Sequence, residues 1–195
     1  YYKDWNYRYI IDRSCWSTPD NLKILKELGK DIKIIVLVRD IIEVLASFIV
    51  WSRNQKDTFI SRYNVKTLEE KCERLMQMDG VLLKSLVAVN HLFLPENKNL
   101  YHLIEYNQLV EHPKRTIEGI YDYLKISKFK HRYVNLNQFE VNGIKYDDTS
   151  LGEGLHTIKS KKISKSTYNA YEVIPKSIIE KYRKLNENLQ HRKYG

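Results

Sequence analysis

The chain has 195 residues, of which 43% are hydrophobic, 29% charged and 12% aromatic, a balance that supports one packed core and excludes a disordered or low-complexity protein. Its net charge of +9 is uneven, since residues 151–195 hold ten Lys/Arg against four acids. An anion-binding edge has this composition, but so does a solvated Lys-rich surface, and charge alone decides nothing.

The first predicted element is a short buried strand at Tyr7–Asp12 (YRYIID). Ser17-Thr18-Pro19-Asp20 then predicts a helix start, with Thr18 as N-cap, Pro19 in the first turn, an apolar stripe of Leu22, Ile24, Leu25 and Leu28, and Gly29 as the stop. Lys33–Val38 (KIIVLV) is the clearest strand, and its unbroken apolar run predicts a central parallel strand covered on both faces. Asp40 caps a helix to about Trp51, with Ile41, Val44, Leu45 and Phe48 inward. One long helix is expected from Thr67 to Val89, opened by a near capping box and weakened at Gly80. Tyr101–Glu105 (YHLIE) predicts a third strand. Pro113 opens a helix ending near Ile126, with Ile117, Ile120, Tyr121 and Leu124 buried. Residues 131–149 are irregular, and Pro175 starts an amphipathic terminal helix carrying Ile178, Ile179, Tyr182 and Leu185.

Cys15 and Cys72 lack metal spacing and suit small buried apolar positions, so a reducing, cytoplasmic location is the expectation. Lys33, Arg39, Asp40 and Glu43 interrupt the longest apolar stretch, residues 32–51, and no membrane span is expected. The opening residues, Tyr1–Tyr9, have no signal-peptide character.

Chemistry concentrates at Val38-Arg39-Asp40, where a strand passes into a helix. In parallel α/β sheets ligands bind beyond the carboxyl ends of strands, close to helix N-termini. The Arg39 fork matches two phosphate oxygens, and Ser47, eight residues on, shares a face of the following helix. A local Arg39–Asp40 ion pair beside an ordinary helix serine is the alternative at this level.

Lys33–Phe48 (KIIVLVRDIIEVLASF) resembles the 3′-phosphate-binding element of sulfotransferases that use 3′-phosphoadenosine 5′-phosphosulfate (PAPS). In that family an apolar strand ends in Arg-Asp and a Ser follows eight positions after the Arg, so the resemblance implies that Arg39 and Ser47 contact the 3′-phosphate. Ile41 stands where the family usually has Pro. Ile11-Asp12-Arg13-Ser14 falls where the family's basic residue faces the active site, which gives Arg13 a catalytic role by implication. His102–Ile126 is similar to the family's strand–Tyr–helix stretch, with Asn107 and Gln108 at commonly acidic positions and Lys125 for a Gly. Gly154–Ser166 (GLHTIKSKKISKS) resembles a basic segment of bacterial and viral-type members that closes over the 3′-phosphate. Alternation in an extended loop would put Lys159 and Lys161 on the phosphate side and leave Lys162 and Lys165 outside.

The Gly-rich phosphate loop with which the family begins has no counterpart before Tyr7, so that portion is expected to lie outside the chain. No catalytic base is assigned, although Asp12 and Cys15 are considered. His156 is as readily an ordinary loop residue, and Trp16 and Trp51 are better explained by packing than by adenine stacking.

The resemblance implies an α/β fold, three-layer α/β/α with a mainly parallel sheet and P-loop nucleotide-kinase-like architecture. It forms a single domain over residues 1–195, with 131–195 as a C-terminal extension. It also implies sulfuryl transfer from PAPS to a hydroxyl or amine of a small-molecule, carbohydrate or peptide acceptor, releasing adenosine 3′,5′-bisphosphate without a metal. Two alternatives are a nucleotide-kinase-like phosphotransferase, whose Walker loop is not visible, and a basic nucleic-acid-binding module, which is the less expected.

Overall fold

The computed structural model describes residues 9–28, 31–54, 60, 63–138, 140–145, 158 and 161–194. Its centre is a parallel pair, β1 (Ile34–Val38) with β2 (Tyr101–Glu105), registered from Ile34 opposite Tyr101 to Val38 opposite Glu105. Parallel strands need a long crossover. Here the chain leaves β1 into α2 (Ile41–Asn54), α3 (Leu68–Leu75) and α4 (Val81–Leu92), and a 3₁₀ turn at Pro95–Asn97 returns it to β2. Ahead of β1 lies α1 (Pro19–Glu27). Behind β2 come α5 (Tyr106–Glu111) and α6 (Pro113–Leu124), then a hairpin of β3 (Glu140–Val141) and β4 (Ile144–Lys145), then α7 (Ala170–Val173) and α8 (Lys176–Tyr194).

Side chains alternate across the strands. Ile34, Val36, Val38, Tyr101 and Leu103 pack on Leu22 of α1 and on Val89 and Leu92 of α4. On the opposite face α6 covers β2, because Tyr123 stacks on His102 at 5.2 Å. A Cβ at Gly119 would lie 3.6 Å from His102 Nε2, so the glycine gives the helix a close approach to that ring. Helices therefore flank the sheet on both sides, as the α/β layering expected.

Four expectations need correction. Tyr9–Asp12 is irregular and Ile11 is 92% exposed, while Tyr7 and Arg8 lie outside the described residues. A strand needs a hydrogen-bonding neighbour, and among the described residues β1 is paired only with β2. Nor is β1 covered on both faces: Ile35 and Leu37 are 43% and 53% exposed, since α6 reaches only the β2 half. On α1, Leu22 is buried but Ile24 and Leu28 are exposed, because only the Leu22 side meets the sheet; Gly29 lies outside the described residues. Finally, the long helix breaks in two. The chain turns at Gly80, the N-cap of α4, where a Cβ would lie 2.4 Å from the Leu75 carbonyl oxygen. Arg74 and Asp79 pair across the same break.

Local signals elsewhere hold. Thr67 and Glu70 form a complete capping box at α3. Lys125 ends α6 in the left-handed conformation (φ 56°) where the resembling stretch has Gly. The residues expected to be buried on α6 are only half-buried. Asn142 and Gly143, both at positive φ, make the β3–β4 turn, which was not anticipated. The main core lies among α2, α3, α7 and α8, with Leu45, Ala46, Cys72 and Leu75 fully buried. Along α2 the buried face is Ile41, Ile42, Leu45, Ala46 and Ile49, while Val44 and Phe48 are only half-buried. Among the described residues no helix is long and apolar enough to cross a membrane.

Candidate anion-binding site

β1 and β2 end side by side at Val38 and Glu105, so Arg39 and Tyr106 leave the sheet together at its carboxyl edge. There Arg39 lies over the Tyr106 ring, with Cζ 4.1 Å from the ring centroid, a cation–π contact. Its Nε donates to Glu43 Oε2 at 2.8 Å and its Nη2 to Ser166 Oγ at 3.2 Å. The side chain is 15% exposed. A guanidinium has five N–H donors, so among the described residues most of the fork is uncommitted.

Asp40 does not pair with Arg39, contrary to the alternative left open by the sequence. Its Oδ1 accepts the backbone N–H groups of Ile42 (2.8 Å) and Glu43 (3.2 Å), which caps α2. Its Oδ2 accepts from Asn186 Nδ2 at 2.6 Å and from the Tyr171 hydroxyl at 3.1 Å, while Asn186 Oδ1 accepts the Ile41 N–H at 3.1 Å. Partial burial, and then the Asp40 carboxylate, push the Tyr171 phenol above its ordinary value. One carboxylate thus fixes the turn carrying Arg39 and ties it to α7 and α8.

Ser47 is half-buried, one helical turn beyond Glu43. Glu43 and Ser47, four residues apart, share one side of α2, and Arg39, two residues before the helix, reaches that side through its bond to Glu43. From the other side comes the segment around residues 161–166. It is held to the chain before β3 by the Val134–Lys162 bridge and by the Leu136 N–H, which donates to the Lys161 carbonyl at 2.9 Å. Lys165 pairs with Glu111 of α5, a hydrogen bond that lowers the Glu111 carboxyl below its usual range. Ser166, next along, reaches Arg39.

The expected site residues therefore separate. Arg39 bonds Glu43, which stands one helical turn before Ser47 on α2. Lys161 is exposed, and its backbone carbonyl accepts the Leu136 N–H. Arg13 is exposed on the irregular stretch before α1, with no hydrogen bond or ion pair to the Arg39 cluster among the described residues. Lys159 and His156 lie outside the described residues. Cys15 faces Ser85 of α4 at 3.9 Å rather than Arg39, and Trp51 packs edge-on against Phe48 beside the core. Five participants were missed: Glu43, Tyr106, Ser166, Tyr171 and Asn186. Only Glu43, four residues after an Arg on a predicted helix, carried a local signal.

A sequence model described as the sulfotransferase domain matches residues 21–191. Among solved structures, the chain is similar to a sulfotransferase domain from the curacin biosynthetic pathway, with a TM-score of 0.52 and 18% identity over 89% of this chain. The chain spans 60% of that domain's length. No curated protein matches it.

Proposed function

Because the chain belongs to the sulfotransferase domain family, we propose that it forms the 3′-phosphate-binding and C-terminal part of an enzyme that transfers a sulfuryl group from PAPS to a hydroxyl or amine. The observation that carries this is Arg39, set at the carboxyl ends of two parallel strands, with its guanidinium over the Tyr106 ring and bonded to Ser166. Arg39 would take two oxygens of the 3′-phosphate in a charge-assisted fork, and the Ser47 hydroxyl a third. This phosphate does not react. Holding it fixes the donor at a point remote from the sulfur, so that binding energy is converted into alignment for in-line attack by the acceptor oxygen or nitrogen.

The grip on the 5′-phosphosulfate is a separate matter. Among the described residues β1 has no partner on its second edge, and this edge with the exposed Ile35 and Leu37 suits a sheet completed by a further strand and helix, where a phosphate loop would lie next to Arg39. Lys159 and Lys161 are assigned to the outer side of the 3′-phosphate and Arg13 to the transferred group, both on the family resemblance. The acceptor is expected to be a small molecule, carbohydrate or peptide.

Adenosine 3′,5′-bisphosphate should bind more tightly than adenosine 5′-monophosphate, since only the former carries the 3′-phosphate. Calorimetric titration of both nucleotides checks this. Arg39→Ala should weaken the bisphosphate by roughly ten- to a hundredfold, the loss of one charge-assisted contact of about 1.5–3 kcal/mol. Equal affinity for the two nucleotides would sink the assignment.

A further inference from the structure

Glu43 occupies an unusual place in this arrangement. It bonds Arg39, four residues before it, and stands one helical turn before Ser47 on α2. Its Oε2 holds Arg39 Nε at 2.8 Å, where an oxygen of a bound phosphate would be expected. An anion gripped by Arg39 would lie beside the Glu43 carboxylate, and two anionic groups in one site oppose each other. We propose that Glu43 is a placeholder, the carboxylate that a 3′-phosphate displaces from Arg39, and that its charge sets the affinity of the site. The proposal rests on the anion assignment made above and adds to it the residue that tunes the anion's affinity.

The surroundings permit the exchange. Arg39 is 15% exposed, and without a counter-charge a guanidinium so enclosed would be costly, so Glu43 satisfies it while no ligand is present. The Glu43 side chain is 28% exposed, which leaves it a route toward water once a stronger anion arrives. Ser166 need not move. Its oxygen accepts from Arg39 Nη2, and its own hydroxyl proton can be donated to a phosphate oxygen. The Tyr106 ring keeps the guanidinium plane in place throughout. After displacement the anion would meet Arg39, Ser47 and Ser166, one cation and two hydroxyls.

Competition and scaffolding predict opposite signs, which makes the distinction measurable. Adenosine 3′,5′-bisphosphate and adenosine 5′-monophosphate are titrated calorimetrically into the wild-type chain, Glu43→Gln and Glu43→Ala, with circular-dichroism melts to confirm folding. Removing the carboxylate should tighten the bisphosphate by about tenfold in both variants, an effect that shrinks at high salt, and leave the monophosphate unchanged. If wild type prefers the bisphosphate but either folded variant binds it equally or more weakly, Glu43 only positions Arg39 and the placeholder role is overturned. If wild type does not distinguish the nucleotides, the 3′-phosphate assignment fails, and this inference with it.

Discussion

The part of the molecule built around α2 and the part built around the two strands are closed to different degrees. Around α2, helices drawn from the middle and the end of the chain bury Leu45, Ala46, Cys72 and Leu75 completely. Burial there pushes the Cys72 thiol up to about 12, with Glu69 and Glu73 adding to the effect, so this cysteine is a packing residue and not a nucleophile. The strand pair has one face packed on α1 and α4 and the other shared between α6 and open space. Arg39 sits on the seam. Its backbone leaves the open part, while its side chain is held by α2 and by the segment ending at Ser166. A binding residue can thus be fixed by the well-closed part while facing the part that is not closed.

The sharpest way to break this contrast is a matched pair of core substitutions. Leu45→Ala should cost about 2–5 kcal/mol in urea denaturation, since it removes a fully buried side chain and leaves a cavity. Leu37→Thr, on the open face and introducing a β-branched residue suited to a strand, should cost about 1 kcal/mol or less. Comparable losses would mean that the two parts are equally closed. Next in size, Gly80→Ala should destabilise by about 2 kcal/mol, because its Cβ would press on the Leu75 carbonyl, a backbone atom that cannot swing aside. A Gly80→Ala melt indistinguishable from wild type would show that the α3–α4 break is loosely held.

The smallest effect probes the rim of the closed part. Glu70 is held below its ordinary value by the backbone N–H groups of Thr67 and Lys66 that it accepts. A carboxylate depressed by folding contributes stability above its unfolded value and loses it as the pH falls through the lowered folded value. Wild type should therefore lose a small increment of stability on acidification that Glu70→Gln lacks, read as convergence of the two melting curves at low pH.

What the sequence made legible follows from the range of each signal. Strand β1, strand β2 and the starts of α1, α3, α6 and α8 are written in a few neighbouring residues, such as the Thr18-Pro19 entry and the Thr67/Glu70 box. The joined helix over 67–89 was a failure of the same local reasoning. A glycine lowers helix propensity only modestly, and nothing nearby revealed that the carbonyls of residues 74 and 75 would come so close to it. The apolar run of β1 was read as double coverage, but periodicity cannot say which face the present partners leave bare. At the site, Arg39 and Ser47 were visible because the family element is contiguous. Ser166 and Asn186 were not, since they meet the Arg39–Asp40 turn from 127 and 146 residues away, and no local pattern encodes such a meeting.

The Asn186–Asp40 bond also has a consequence for the order in which the protein is made. The carboxylate that caps α2 is made well before two of its four hydrogen-bond partners, Tyr171 and Asn186, which follow it by 131 and 146 residues. At about 5–20 residues per second, a gap of 146 residues is roughly 7–30 seconds of translation. Through that interval α2 can be capped by Asp40 Oδ1 alone, while the turn bearing Arg39 stays unlocked and Ile41, Leu45 and Ile49 lack the cover of α7 and α8. The nascent chain therefore presents this apolar helix half-finished until residues 170–194 have been made.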